Sequence, residues 1–263
     1  MEKKIILILS LAAASLLVTG QSEVNINKTD QQGRKQGEWI KKYPDGNIQY
    51  EGTFRDDHPI GEFKRYSEDK KLQSVMVYSN DGKEVASTHY HPNGFIASRG
   101  KYVNQLKEGK WQFFSYFYEG YLISEEFYLH NKRNGPSFKF YTDSTIFEKV
   151  TYVNDKKEGE WLQNYPDGKK FLRSNYSNDQ LNGKFEVWYE NGKQEISGFY
   201  KNNFRDGTWQ IFNEDGTLKY KMDYELGNTA DKQMDIDATN LMDKLEKNQG
   251  RIPDPEKTGT IKR

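Results

Sequence analysis

The sequence predicts an all-β protein: an elongated, twisted antiparallel sheet of about eight tandem 24-residue β-hairpin repeats, followed by a short C-terminal helix. Nearly the same phrase recurs along the 263 residues, as in "GEWIKKYPDG" and "GEWLQNYPDG". Only 34% of the residues are hydrophobic, which argues against a large globular core. However, 14% are aromatic and 22 are glycine, and this composition favours strands and turns over disorder.

The first twenty residues predict a signal peptide rather than part of the fold. Lys3 and Lys4 precede an apolar run over residues 5–18, and small residues follow it. We therefore expect residues 1–20 to be removed and the protein to be exported to the periplasm, the cell envelope or the medium. The alternative, a retained membrane anchor, is less favoured because the run has about 14 residues and a span needs roughly 20.

Composition also excludes several classes of chemistry and partner. The chain contains no cysteine, which excludes a disulfide framework, a lipid-modified cysteine, a cysteine-ligated metal and a thiol nucleophile. Its 39 basic and 39 acidic residues balance, and the two signs are interspersed along the chain. This pattern provides no electrostatic reason to expect nucleic acid as a partner.

Three columns of residues define the repeat. The first is a glycine that precedes an aromatic position: Gly37, Gly61, Gly109, Gly135, Gly159, Gly183 and Gly207, with Val85 in a degenerate copy. The second is a turn glycine: Gly46, Gly94, Gly120, Gly168, Gly192 and Gly216, with Lys70 and Ser144 in degenerate copies. The third is aromatic: Phe54, Tyr78, Tyr102, Tyr128, Tyr152, Tyr176, Tyr200 and Tyr224. All three keep a 24-residue step except at a two-residue insertion in "FFSYFYEG".

Each unit is interpreted as one β-hairpin. A strand begins at the Gly-x-aromatic phrase, a tight Asp-Gly or Asn-Gly turn reverses it, and the return strand ends on the aromatic column. A polar loop such as "VNDKKEG" then leads to the next unit. Strand, turn, strand and loop use all 24 residues and leave no room for a crossover helix, so a parallel βαβ architecture is excluded.

A fourth column predicts what replaces a globular core. The aromatic residue after the first glycine is expected to stack on rings of adjacent units, and it is Trp39, Phe63, Trp111, Trp161, Phe185 or Trp209. Ser87 and Ser137 leave the same position empty in two copies. We interpret these two copies as drifted, weaker links, with a deliberately different surface as the alternative.

The two ends of the chain differ from the repeats. Residues 21–36 are expected to cap the front of the array, which occupies 37–228. In 229–263, apolar residues recur at helical spacing and a coil tail follows: Met234, Ala238, Leu241, Met242 and Leu245. We expect the helix to cover the open sheet edge, because repeat arrays need a capping element. A helix that docks a partner is the alternative.

The sequence contains no pattern that predicts catalysis, so we expect no catalytic, cofactor-binding or metal-binding residue. His89 and His91 share a face of a strand, but we interpret them as two solvent-facing histidines rather than as metal ligands. The motifs Gly-x-Ser-x-Gly, His-Glu-x-x-His and the phosphate-binding loop do not occur. An enzyme would require a site assembled across several repeats.

The repeated phrase resembles a known family. The pattern of Gly-x-Trp or Gly-x-Phe, an aromatic residue, Asp-Gly or Asn-Gly, and then a Tyr-x-Asn-Asp segment is similar to MORN repeat variant proteins, including the YwqK-like antitoxin group. The resemblance covers about residues 30 to 228. It implies a strand-rich scaffold used for interaction and supplies no catalytic residues, and the antitoxin name implies neutralisation of a toxin.

The sequence is compatible with three functions. The first is an exported protein-binding scaffold of the cell envelope, and the second is an antitoxin-type neutraliser. The third is a cell-wall, glycan or lipid binder whose rings stack on sugars or cations. We favour the scaffold, because aromatic columns of interchangeable residues are more typical of packing. The expected partner is another protein, with a glycan or a membrane surface as alternatives.

Overall fold

The computed structural model describes residues 26–246, which form one antiparallel sheet of 18 strands and one helix. The predicted fold class is confirmed, while the signal peptide and the coil tail lie outside the described residues. The strands are Lys28–Thr29 (β1), Lys35–Lys42 (β2), Ile48–Arg55 (β3), His58–Tyr66 (β4), Leu72–Tyr78 (β5), Glu84–Tyr90 (β6), Ile96–Val103 (β7), Leu106–Phe114 (β8), Leu122–Leu129 (β9), Lys132–Phe140 (β10), Ile146–Val153 (β11), Lys156–Asn164 (β12), Lys170–Ser177 (β13), Gln180–Leu181 (β14), Gly183–Trp188 (β15), Gln194–Lys201 (β16), Phe204–Phe212 (β17) and Leu218–Tyr224 (β18). The helix is Lys232–Glu246 (α1).

Strands pair in chain order, so the sheet is a continuous meander. β14 and β15 both pair with β13 and act as one strand interrupted at Asn182. Eight hairpins result, numbered 1 to 8 here: β2/β3, β4/β5, β6/β7, β8/β9, β10/β11, β12/β13, β14–β15/β16 and β17/β18. The short strand β1 pairs with β2 at the front.

The Asp-Gly turns within the hairpins have one positive φ angle, not two. In hairpin 6 the Gly168 N–H donates to the Tyr165 carbonyl at 2.9 Å, and Gly168 has φ +81°. Asp167 instead accepts the Lys169 N–H through Oδ1 at 3.0 Å. The glycine alone adopts the left-handed conformation, and Lys70 and Ser144 adopt it in the degenerate copies. These tight turns therefore form without a left-handed Asp or Asn.

The connections between hairpins are tighter than predicted. Asn154 and Asp155 have φ angles of +51° and +69°, and Val153 pairs directly with Lys156. Positive φ at both central residues is the conformation of a two-residue type I′ turn. The same geometry occurs at Asp56–Asp57, Asn104–Gln105, His130–Asn131, Asn178–Asp179 and Asn202–Asn203. The predicted polar loop was wrong at these connections, because Asn and Asp tolerate positive φ and let the chain reverse at once.

The marker glycine lies inside a strand rather than at its start. Val150 pairs with Trp161 and Tyr152 pairs with Lys157, so residues 158–160 face Thr151 alone. Gly159 sits in this bulge with φ +77°. A bulge that needs positive φ favours a residue without Cβ, which explains the recurrence of this glycine. The predicted strand start at the glycine was therefore about three residues late in hairpin 6, where β12 begins at Lys156.

Hydrogen bonds join each type I′ turn to the preceding hairpin. The Lys157 N–H donates to Asp179 Oδ1 at 2.7 Å, and the Asp179 N–H donates to the Lys157 carbonyl at 3.0 Å. The same two bonds join Asn131 to Lys107, Asp155 to Arg133 and Asn203 to Leu181. One side of the array is thus linked from turn to turn.

Tyrosine hydroxyls form the corresponding links on the other side. The Tyr165 hydroxyl donates to the Trp188 carbonyl at 2.7 Å. Equivalent bonds run from Tyr43 to Tyr66, from Tyr141 to Asn164 and from Tyr189 to Phe212. In hairpin 4 the position is Ser115, and the inserted segment brings the Tyr121 hydroxyl to the Phe140 carbonyl at 2.7 Å. The insertion therefore restores a link that the serine cannot make.

Aromatic rings form a ladder on one face of the sheet, called the aromatic face below. Ring centroids lie 5.0–6.3 Å apart in two series: Trp39, Phe54, Phe63 and Tyr78, and Phe185, Tyr200, Trp209 and Tyr224. Trp111 contacts Tyr102 and Tyr128 in the same way. Ser87 and Ser137 interrupt the ladder at the two positions that the sequence leaves without a ring.

Glycine in the opposite strand makes room for the largest rings. A Cβ built at Gly198 would lie 2.2 Å from the Trp209 ring. The same approach occurs between Gly52 and Phe63, and between Gly100 and Trp111. Where serine replaces the ring, the paired residue is large: Met76 faces Ser87 and Glu126 faces Ser137. The paired positions therefore compensate each other in size.

Helix α1 packs on hairpin 8. The Met234 N–H donates to Asp231 Oδ1 at 2.9 Å, which caps the helix N-terminus. Asp235 accepts the Tyr224 hydroxyl at 2.7 Å and an Arg205 guanidinium N–H at 3.1 Å. Met234 and Leu241 pack against the buried cluster of the last hairpins. The helix thus contacts the aromatic face where the sheet ends.

We expect Gly198→Ala to lower the free energy of unfolding by about 1–3 kcal/mol, because its methyl group would overlap the Trp209 ring. Ser174→Ala is the matched control in the same column of hairpin 6. Ser174 is 2% exposed and its hydroxyl has no hydrogen-bond partner, so its loss should change stability by less than about 0.5 kcal/mol. Urea unfolding measures the change in the free energy of unfolding for each variant. Equal changes would show that the Trp209 ring does not occupy the space next to Gly198.

Substitutions at Asp179 should separate the two demands of the type I′ turn. Asp179→Asn keeps both the tolerance of positive φ and the acceptor, and we expect little change. Asp179→Gly loses only the bond to Lys157, at a cost of about 1 kcal/mol. Asp179→Ala adds the strain of a left-handed conformation, roughly 1–2 kcal/mol more. Urea midpoints in the order Asn, Gly, Ala are expected; an Ala variant as stable as Gly would contradict the turn assignment.

Candidate interaction surface

A row of paired residues crosses the aromatic face from the first hairpin to the last. Cross-strand pairing places its members side by side, one on each strand. The row reads Lys41, Tyr50, Arg65, Ser74, His89, Ser98, Phe113, Ser124, Lys139, Glu148, Gln163, Leu172, Val187, Ile196, Ile211 and Tyr220. Its chemistry changes from cationic and polar at the N-terminal end to aliphatic at the C-terminal end.

The aliphatic end of the row is closed to solvent. Leu172 and Ile211 are 2% exposed, and Val187 and Ile196 are 0% exposed. Such burial on one face of a single sheet requires the sheet to coil, so that neighbouring side chains cover each other. Trp209 and Phe185 are buried with them. The aromatic face of hairpins 6 to 8 is therefore a core, not a binding surface.

The N-terminal end of the row is open and carries cations. Lys41 and Arg65 are exposed, and Tyr50 lies between them on the middle strand. The Lys35 ammonium lies 4.9 Å from the Trp39 ring centroid and 4.7 Å from that of Phe54. A cation held over ring faces is stabilised by the ring quadrupole even when it is partly desolvated. The ladder rings Trp39 and Phe54 thus also hold a cation, Lys35, on the open end of this face.

Hairpins 3 and 4 continue this positive surface. The Lys107 ammonium lies 4.5 Å from the Trp111 ring centroid and 4.7 Å from that of Tyr128. Burial lowers the pKa of Lys107. Burial also lowers the pKa of His89, and the charge of Lys107 lowers it further. From β2 to β8, the strand positions described on this face carry no carboxylate; the first is Glu126 on β9.

A small polar pocket opens between the two exposed cations. It has a volume of about 210 Å³, and its lining includes Lys41, Arg65, Tyr50, Gln49 and Gln73. Two cations and two amide side chains can bind a negatively charged group together with a neighbouring peptide-like group. The geometry therefore suits an anionic ligand with hydrogen-bonding neighbours.

A second exposed feature is the aromatic loop, Tyr116–Tyr118, in the insertion of hairpin 4. Tyr116, Phe117 and Tyr118 are 46%, 70% and 44% exposed. Ser115 Oγ accepts the Phe117 and Tyr118 N–H groups at 3.0 and 3.2 Å. The Asn93 amide donates to the Tyr116 carbonyl at 2.7 Å. These bonds hold the loop in place while the Phe117 ring projects into solvent.

The residues that the sequence marks as repeat positions have structural roles. All thirteen marker and turn glycines have positive φ. The aromatic columns form the ladder, with Phe54, Tyr152, Tyr200 and Tyr224 at 5–8% exposure. Sequence reasoning missed the aromatic loop and the cationic row, which is the exposed pair Lys41 and Arg65 at the N-terminal end of the row of paired residues. Basic residues at 24-residue spacing, such as Lys41 and Arg65, and three aromatics at the one insertion were the signals available.

The two histidines do not share a site. His89 Nε2 lies 2.8 Å from the Ser87 hydroxyl and its ring stacks on Trp111, whereas His91 Nε2 lies 3.1 Å from the Phe114 carbonyl. Both are partly buried, so the expectation that both face solvent was wrong. His91 takes the place of a tyrosine that links neighbouring hairpins, such as Tyr43 or Tyr165. Within residues 26–246, no group of three His, Asp or Glu side chains is placed to hold a metal ion.

Part of the hairpin array is similar to a known repeat family. Five of the eight hairpins match the MORN repeat variant. The matches are 35–56, 59–80, 157–178, 181–202 and 205–225, which are hairpins 1, 2, 6, 7 and 8. MORN repeats are generally non-enzymatic scaffolds for protein or membrane-surface interaction. Hairpins 3 to 5 lie outside the matches, and they contain Ser87, Ser137 and the aromatic loop.

Other comparisons add little to the MORN matches. The crystal structure of TcdB2-TccC3 aligns at 16% identity and a TM-score of 0.20, over 76% of this chain and 12% of that one. The crystal structure of TcdB2-TccC3-TEV aligns at 12% identity and the same TM-score, over 76% and 13%. This chain spans only a small part of both. No curated protein matches it. None of the described helices is long and apolar enough to span a bilayer.

The environment of His89 predicts a measurable titration. Its pKa should lie below the ordinary 6.5, and Lys107→Gln should raise it only part of the way, because burial is the larger cause. A pKa lowered by folding means that protonation opposes folding. The stability from this group is therefore present above pH 6.5 and is lost as the pH falls below it. Histidine NMR titration measures the pKa of His89, with Lys110→Gln on the opposite face as the control. An unchanged His89 pKa in Lys107→Gln would show that the Lys107 charge does not contribute to the shift.

Proposed function

We propose that this protein is an exported, non-enzymatic scaffold of the cell envelope that binds another protein through its divergent central hairpins. The observation that carries this proposal is the aromatic loop, where Phe117 is 70% exposed. The loop lies in hairpin 4, which the MORN repeat variant does not match. The matched hairpins supply the framework, and the unmatched hairpin 4 supplies the exposed aromatic anchor.

Exposed, ordered aromatic side chains are typical of protein interfaces. Aromatic residues are enriched at the energetic centres of such interfaces, where a few side chains provide most of the binding free energy. The Tyr116 ring packs against the His91 ring at 5.3 Å, so one side of the loop is fixed before binding. A preformed loop loses less conformational entropy when a partner binds. Phe117 is therefore the proposed anchor.

The burial of the ladder rings disfavours the glycan-binding alternative. Sugar stacking requires accessible ring faces, but Trp111 is 1% exposed, Trp209 2% and Phe185 0%. Trp188 and Tyr189 form the one adjacent Trp-Tyr pair, and both take part in the tyrosine links through their carbonyl or hydroxyl groups. Most of these rings are thus occupied by packing, which supports a scaffold.

Export and neutralisation are parts of the proposal that rest on the sequence. The apolar run over residues 5–18 supports export, and the intact mass of the protein isolated from its host tests it. A mature chain that begins near residue 21 is expected, and a full-length chain would contradict removal of the segment. An exported toxin is one partner that would satisfy the proposal, and the resemblance to the antitoxin group supports it.

We expect Phe117→Ser to abolish capture of the partner from host envelope extract after crosslinking. The reason is that the substitution removes the proposed anchor without touching the ladder. Phe199→Ser is the matched control, since Phe199 is also exposed, at 44%, but lies on β16 in a matched hairpin. Mass spectrometry of crosslinked products from mature protein, residues 21–263, provides the measurement.

The capture experiment can contradict the proposal in two ways. Equal capture by wild type and Phe117→Ser would remove the aromatic loop from the interface. Recovery of wall or lipid material without a protein in near-equal amount would overturn the protein-binding function itself. Both variants should keep the wild-type melting temperature, because neither side chain is buried.

A further inference from the structure

The open end of the aromatic face has the charge and spacing of a peptide-binding surface. Lys41 and Arg65 are exposed there, and neither has an ion-pair partner among the described residues. Lys35 and Lys107 add two further cations on the same face. Because the strand positions of this face from β2 to β8 carry no carboxylate, the charges of Lys41 and Arg65 are not neutralised within the sheet. An acidic ligand is the complementary partner.

The register fixes the spacing of the cationic row. Lys41 and Arg65 lie on β2 and β4, two strands apart. Strands lie about 4.8 Å apart, so equivalent positions recur about every 9.6 Å along the row. A peptide in the polyproline II conformation has three residues per turn and rises about 3.1 Å per residue. Every third side chain of such a peptide therefore points in the same direction, at intervals of about 9.3 Å. This interval matches the spacing of about 9.6 Å between alternate strands of the row.

The surface between the cations also suits such a peptide. Tyr50 stacks on Phe63 at 5.1 Å between Lys41 and Arg65 and gives an aromatic floor. Polyproline II segments commonly dock on aromatic-lined grooves because they are extended before binding. Gln49 and Gln73 line the pocket beside the cations and can bond to exposed peptide groups. A pocket of about 210 Å³ has room for one carboxylate side chain.

We propose that the aromatic face of hairpins 1 to 3 binds an extended acidic peptide segment in the polyproline II conformation, with carboxylates three residues apart. The segment crosses the strands, and its carboxylates pair with Lys41 and Arg65. This inference rests on the proposed protein-binding function, because it assigns the chemistry of the partner's segment. An anionic polysaccharide would meet the same charges but would not use the glutamine amides or the three-residue period as specifically.

The test uses labelled peptides and the mature protein, residues 21–263, in fluorescence anisotropy titrations. The probe repeats Glu-Pro-Pro, and the comparison peptides repeat Gln-Pro-Pro and Glu-Pro, which remove the charge or the period. We expect the first peptide to bind at least about tenfold more tightly than the others. Lys41→Gln/Arg65→Gln should weaken its binding at least about tenfold, because both proposed charge pairs are lost.

The double variant Lys42→Gln/Lys64→Gln is the matched control. Both residues lie next to the proposed contacts in sequence but alternate to the opposite face, and the net charge changes equally. Binding within about twofold of wild type is expected for this control. Equal losses in the two double variants would show that only net charge matters and would overturn the site.

Two other outcomes also overturn the inference. Failure of Glu-Pro-Pro peptides to bind excludes the peptide ligand, and preferential binding of polygalacturonate assigns the face to an anionic glycan instead. Neither outcome decides the proposed function. If Lys41→Gln/Arg65→Gln captures the crosslinked partner as well as wild type while Phe117→Ser does not, the scaffold function holds and this segment assignment fails.

Discussion

Consecutive residues with positive φ between hairpins are the constraint on which the sheet depends. Asn178 and Asp179, at φ +51° and +68°, reverse the chain in two residues, and this fixes the pairing of the strands on either side. Left-handed conformations cost non-glycine residues free energy, and this cost is lowest for Asn and Asp. The same Asp179 side chain binds the backbone of Lys157. One residue thus sets the register of its own turn and links it to the hairpin before.

Register in turn decides which side chains meet. Because the side-chain period in a strand is two, a slip by one residue would move every ring of the ladder to the other face. The fixed register places Gly198 beneath Trp209 and Met76 opposite Ser87. Large and small residues then alternate across paired strands, and the face packs without a second layer. The aliphatic row that includes Val187 and Ile196 completes this core only in the last three hairpins.

The repeat, the hairpins and the terminal helix were predictable from the sequence because each depends on local spacing. Gly168 and Trp161 recur at 24 residues whether or not anything is known of their contacts. The tight turns were harder, since "VNDKKEG" is polar enough to suggest a loop, and only the tolerance of Asn154 and Asp155 for positive φ makes it a turn. The cationic row was not predictable in the same way. Lys41 and Arg65 become neighbours of Tyr50 only through cross-strand pairing.

Departure from the repeat is more informative about interaction than the repeat itself. A substitution that removes a tyrosine link weakens the sheet unless another residue compensates. Hairpin 4 shows such compensation, because Tyr121 supplies the hydroxyl link that Ser115 cannot. With that link restored, and with the loop held by Asn93 and Ser115, the fold does not need the Phe117 ring for packing. The loop presents Phe117 to solvent, whereas the rings of the matched hairpins at Trp209 and Phe185 are buried. An exposed ring such as Phe117, in a loop that hydrogen bonds hold in place, is what a partner can recognise.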